Sequence, residues 1–137
     1  MIRFLDHTAD VGIEVKSKTL EELFRESARG MFSIICENLE EVDCGEWVSG
    51  TVEGEDLEEL LYNFLEELLY LFEVKHLILK EFDVKFSGGN LIQYRACGER
   101  FDPAKHRIST GIKSPTYHMM KIERENGSWK ARIIFDV

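Results

Sequence analysis

From Leu20 onward the apolar positions Leu23, Phe24, Ala28, Met31, Ile34 and Ile35 return at intervals of three and four, which lines them along one side of a helix. Thr19, with Glu22 three residues on, supplies a capping-box pattern at its start. A second helix is predicted from about Asp56, with Glu59 three residues on, to about Phe72. Its apolar set (Leu57, Leu60, Leu61, Phe64, Leu65, Leu68, Leu69 and Phe72) is wider than one stripe and marks the central core helix. The alternative is an acidic amphipathic helix held out for a partner's groove, but so broad an apolar face is not left exposed. Elsewhere the period falls to two. Ile13 and Val15 alternate with Glu14, and residues 47–53 make a short candidate strand. Phe82, Val84 and Phe86 alternate with Asp83 and Lys85, and Gly88-Gly89-Asn90 turns the chain into residues 91–100 as a hairpin. A second hairpin is predicted between residues 116–125 and 128–137 through Asn126-Gly127. Two strands, helix, strand, helix and then at least four strands lack the alternation of a doubly wound parallel sheet. The expectation is an α+β fold: one domain, residues 1–137, with a largely antiparallel β-sheet packed with two α-helices. Internal repeats, linkers and low-complexity tracts are absent from the sequence.

Composition narrows the classes further. At 137 residues and 44% hydrophobic, the chain builds one core without disulfides or a structural metal. The longest strongly apolar stretch, residues 57–72, is broken by four glutamates (Glu58, Glu59, Glu66 and Glu67) and Asn63, so no membrane span is expected. The first residues lack a basic start, an apolar run and a small-residue cleavage site, which points to the cytoplasm. Cys36, Cys44 and Cys97 form no Cys-x-x-Cys pair and are expected as free thiols. A net charge of −9 opposes direct gripping of nucleic acid. The charge is uneven: residues 37–73 hold thirteen acidic and no basic side chains, whereas residues 74–137 hold twelve basic and seven acidic ones.

Gly-rich phosphate loops, nucleophile elbows and dinucleotide fingerprints are missing. Three segments draw attention instead. Asp6-His7-Thr8-Ala9-Asp10-Val11-Gly12 is a polar cluster between two strand-like runs, in which Asp10 either bonds turn backbone or offers an oxygen ligand. At the other end, Ile133-Ile134-Phe135-Asp136-Val137 sets the Asp136 carboxylate beside the terminal carboxylate of Val137. Adjacent anions on an ordered strand suit a hard, oxygen-preferring ion such as Ca²⁺, Mg²⁺ or Mn²⁺. The third segment is the long loop carrying His106, Lys113 and His118, read either as a solvated connection or as a site rim. His7, His106 and His118 taken singly fit hydrogen-bonded structural roles as well as functional ones.

Together, His7-Thr8-Ala9-Asp10-Val11-Gly12, Gly98-Glu99 with Phe101-Asp102 and His106, Lys113 with Thr116-Tyr117-His118, and the ending Phe135-Asp136-Val137 resemble the archease family over essentially the whole chain. The chain departs from the family pattern at Ser114-Pro115, where proline fixes the local backbone. The resemblance implies a cytoplasmic protein cofactor, not itself a catalyst, of an RtcB-type RNA ligase acting in tRNA splicing and RNA repair. It would promote guanylylation and repeated turnover of that ligase, which works with GTP and Mn²⁺ and alone meets the tRNA. The resemblance also implies that Asp10, Asp136 and Val137 bind a divalent metal, with Lys113, His7, His106 and His118 near the tip that meets the ligase. Two other classes remain: a stand-alone metal-dependent phosphohydrolase and a general chaperone or adaptor.

Overall fold

The computed structural model describes residues 1–6 and 10–137; His7, Thr8 and Ala9 lie outside the described residues. Ten elements follow in order: β1 (Ile2–Asp6), β2 (Asp10–Ser17), α1 (Leu20–Ile35), β3 (Glu46–Glu53), α2 (Leu57–Lys75), β4 (Leu77–Phe86), β5 (Leu91–Arg100), β6 (Ser114–Pro115), β7 (Lys121–Glu125) and β8 (Ser128–Asp136). Short 3₁₀ turns occupy Leu39–Glu41 and Tyr117–Met119.

Both helices begin where their caps stand. The Thr19 hydroxyl accepts the Glu22 N–H at 3.1 Å, and the Asp56 carboxylate accepts the Glu59 N–H at 2.8 Å. Glutamates in each first turn complement the helix dipole. The second helix runs past Phe72 to Lys75 and stops at His76, which takes the left-handed conformation (φ 58°) and donates its N–H to the Leu71 carbonyl.

Antiparallel pairing divides the strands into two sheets instead of one. The first runs β1-β2-β8-β6, with β7 also paired to β8; the second runs β3-β5-β4. One edge of β8 is therefore shared, its first half by β7 and its last residues by β6. The hairpin predicted at Asn126-Gly127 is present, both residues at positive φ, as a two-residue type I′ turn requires. Its first strand is shorter than residues 116–125, because Tyr117–Met119 forms a 3₁₀ turn and pairing begins only at Lys121. Helix α1 touches β2, β8 and β4, and α2 touches β3, β4 and β6, so the helices fill the space the two sheets enclose. Phe24 stacks on Phe64 and Phe32 on Phe82 at ring separations of 6.1 and 5.9 Å, and Leu60, Leu61, Leu65 and Leu68 are fully buried.

The free-thiol expectation holds for Cys36, which is buried. It fails for the other two, which form a Cys44–Cys97 disulfide. Their separation of 53 residues hid the pairing: only the pairing of β3 on β5 brings the segment before β3 against Cys97.

Between β4 and β5 the register shifts by one residue, from Leu79 opposite Gly98 to Glu81 opposite Cys97, leaving Lys80 as the bulged residue. The Lys80 ammonium donates to the carbonyls of Glu40 and Val42, at 2.8 and 3.0 Å, and ties the first 3₁₀ turn to the sheet. A methyl group on Gly98 would stand 1.8 Å from the Ile78 carbonyl oxygen. Backbone cannot yield as a flexible side chain does, so Gly98→Ala is expected to cost about 1–3 kcal/mol or more. Urea denaturation of the two proteins measures this; equal midpoints would show that the close approach is not constrained.

Candidate functional site

Strand β2 pairs with β8 so that Val11, Ile13 and Val15 stand opposite Phe135, Ile133 and Ala131. These partners on β8 are fully buried, as are Ile13 and Val15. The same register places Asp10 directly opposite Asp136. On the other side of β8, Ser114 of β6 stands opposite Asp136 as well. Asp10, Asp136 and Ser114 thus form one row across three strands, with Val137 next in the chain and 36% exposed. Asp136 is exposed and Asp10 half-buried.

Lys113 is tied to this row through its backbone. Its N–H donates to the Asp136 carbonyl at 2.8 Å, and the Thr116 N–H donates to the Ile134 carbonyl at 2.8 Å. The two bonds bracket β6 and hold Ser114-Pro115 against the end of β8. Proline has no N–H to give, and here the residues on either side of the Ser-Pro pair make the bonds. Lys113 is exposed, and so is His118 in the 3₁₀ turn that follows. His7 lies outside the described residues.

His106 is in different surroundings. It is 4% exposed, and its Nδ1 accepts the Asp102 N–H at 2.9 Å, so the ring proton resides on Nε2 and faces Glu99 Oε2 at 2.8 Å. Lys105 lies 2.8 Å from both Glu99 and Asp43, and the Asp43 N–H donates to Glu99 at 3.2 Å. Asn38, fully buried, donates to the Lys105 carbonyl and accepts the Arg107 N–H, both at 2.9 Å. Both ring nitrogens of His106 are therefore committed within the protein. The motif residues Glu99, Phe101, Asp102 and His106 belong together because they build this knot, from which the chain runs on to Lys113, while Gly98 just before them permits the close approach of β4.

Burial works against ionisation of Glu99, but bonds from Lys105, His106 and the Asp43 N–H, with the Lys105 charge, outweigh it and hold the carboxyl down to about 2. The bonds to Asp43 and Glu99 hold the Lys105 ammonium above the ordinary lysine range.

The acidic segment is likewise partly consumed inside the fold. Asp56 caps α2, Glu58 accepts the Ile122 N–H at 3.3 Å, Glu41 accepts from Asn38 at 3.0 Å, and Glu67 accepts the Tyr94 hydroxyl. Burial, followed by the bond to Glu67 and its charge, pushes the Tyr94 hydroxyl well above the usual tyrosine range.

Residues 3–137 match the Archease protein family (MTH1598/TM1083). The chain belongs to the archease family. It is 43% identical over 136 residues to the protein archease of Pyrococcus furiosus, covering 96% of this chain and 95% of that one. With the protein archease of Methanopyrus kandleri it shares 38% over 136 residues, covering 97% and 96%. Among solved structures it superimposes on protein 1598 of Methanobacterium thermoautotrophicum with a TM-score of 0.87 at 32% identity, covering 99% of this chain and 98% of that one. An archease from Thermotoga maritima, described as a possible chaperone, matches with a TM-score of 0.66 at 23% identity over 100% and 98% of the two chains. That second likeness bears on the fold alone. The single α+β domain with antiparallel sheets and two helices is thus the archease fold, and no helix among the described residues is long and apolar enough to cross a membrane.

The Glu99 knot sets an acid limit on this archease. An unfolded glutamate titrates near 4.3, above the folded value of about 2. Its stabilising contribution is complete above the unfolded value and is lost as pH falls toward the folded one. Glu99→Gln is expected to lower stability at pH 7 by about 1–3 kcal/mol and to flatten the decline between about pH 5 and 2. Urea denaturation across that range tests it; parallel pH profiles for the two proteins would remove Glu99 as the titrating group.

Proposed function

We propose that this archease is a protein activator of an RtcB-type RNA ligase in tRNA splicing and RNA repair, and that it works with a divalent metal ion held by Asp10, Asp136 and Val137. Family membership supports the first part, and the register that sets Asp10 opposite Asp136 supports the second. Carboxylates facing each other across antiparallel strands repel, and an ion between them turns that cost into attraction. Oxygen donors alone fit Ca²⁺, Mg²⁺ or Mn²⁺ better than Zn²⁺. Such an ion, when bound, supplies positive charge to phosphate oxygens in phosphoryl transfer.

The chain's own residues do the rest. The β2–β8 register holds the two carboxylates in place, and the bond from Lys113 to the Asp136 carbonyl keeps that lysine at the same end of the sheet. In this reading its ammonium meets an anion of the ligase-bound nucleotide, and exposed His118 belongs to the same surface. The ligase brings GTP and Mn²⁺ and alone contacts the tRNA. Acidic side chains of residues 37–73 that are not engaged internally would steer docking onto a basic ligase surface.

A guanylylation and multiple-turnover assay of the ligase, with and without this protein, tests the proposal. Asp10→Ala and Asp136→Ala are expected to abolish stimulation while the circular dichroism spectrum stays native. Lys113→Ala is expected to lower stimulation with metal affinity unchanged or slightly tighter, since a nearby cation repels the ion. Full stimulation by either aspartate variant would overturn the metal assignment, and phosphate-ester turnover by the purified protein alone would favour a hydrolase.

A further inference from the structure

Away from the Asp10–Asp136 row, one cluster of ligand-type side chains has no role in the activation proposed above. Cys44 in the segment before β3, Cys97 on β5 and Glu81 on β4 place two sulfurs and a carboxylate oxygen within 4.8 Å of one another. The register shift at Leu79/Glu81 is what sets Glu81 directly opposite Cys97. Glu81 Oε2 lies 3.5 Å from Cys44 Sγ and 3.7 Å from Cys97 Sγ. Cys97 is buried, Cys44 half-buried and Glu81 exposed, and Glu81 also lines an open cleft of about 410 Å³ shared with Trp47 and Arg95.

The geometry points to a redox-gated site for a thiophilic divalent ion of the zinc class, formed by Cys44, Cys97 and Glu81 when the disulfide is reduced. A tetrahedral ion with metal–sulfur bonds near 2.3 Å and metal–oxygen bonds near 2.1 Å spaces its ligand atoms about 3.5–3.8 Å apart. Both sulfur–oxygen separations already have that spacing, so only the two sulfurs must part. A dithiol reductant supplies two electrons: the S–S bond breaks, each sulfur gains a proton, and the reductant becomes a disulfide. Binding then releases both thiol protons to solvent, the thiolates and the Glu81 carboxylate take three positions, and the fourth is left to water. The disulfide form lacks both thiolates and excludes the ion. Two soft ligands distinguish this site from the all-oxygen pair of Asp10 and Asp136.

The test is a titration of metal-free protein with Zn²⁺, and with Co²⁺ as a spectroscopic probe, in excess Mg²⁺ under fully reducing or oxidising conditions. Reduced wild type is expected to take up one Zn²⁺ and to show a thiolate-to-cobalt charge-transfer band, and oxidised wild type neither. Loss of one thiolate in Cys44→Ser is expected to abolish the band and weaken binding by roughly 100-fold or more, and Glu81→Gln to weaken it by roughly 10-fold. Asp10→Asn should leave all of this unchanged. Reduced protein that binds no Zn²⁺, equal binding by Cys44→Ser, or equal binding by the oxidised form would each overturn the site.

Discussion

The antiparallel register of β2 on β8 is the constraint from which the rest follows. It is fixed by burial: Val11, Ile13 and Val15 meet Phe135, Ile133 and Ala131 on the face that the helices cover. A slip of one residue would turn that whole set toward solvent. The position of Asp10 opposite Asp136 is therefore a consequence of core packing, enforced by buried apolar residues that offer no ligand atoms. Two anions face each other at the end of this pairing because the register that its apolar face fixes leaves them no other place.

A second, polar constraint delivers the loop side of the site. Residues 101–113 have little regular structure, yet Glu99, Lys105, His106 and Asn38 fasten their first half through buried or half-buried bonds. The second half ends on β8, where Lys113 and Thr116 bond to Asp136 and Ile134. A loop pinned at both ends keeps Lys113 in register with the aspartates without a core of its own. The local cost is a carboxylate and a histidine withdrawn from water, offset by the mutual satisfaction of their bonds.

Much of this was legible in the chain because local chemistry agreed with the final fold. Thr19 with Glu22 and Asp56 with Glu59 marked the helix starts, and Asn126-Gly127 marked a turn that requires two positive φ angles. Contacts between distant segments were less visible. Period-two patterns announce strands but not partners, so the division into two sheets and the brief pairing of β6 with β8 could not be read. The 3₁₀ turn at Tyr117–Met119 interrupts a stretch whose composition looks extended. Cys44 and Cys97 meet only because β3 lies on β5. His106 carried a motif signal whose meaning is structural: its spacing from Glu99 and Asp102 encodes a hydrogen-bonded knot. Asp10 and Asp136 were legible as chemistry, and the register makes them neighbours.

The central claim is that the facing aspartates exist to hold a cation. A double-mutant cycle with Asp10→Asn and Asp136→Asn, read by urea denaturation in chelator and again in saturating Ca²⁺, tests it most directly. The account predicts a repulsive coupling of some tenths of a kcal/mol in chelator that becomes attractive by about 1 kcal/mol or more with the ion. A coupling of the same sign and size under both conditions would contradict it.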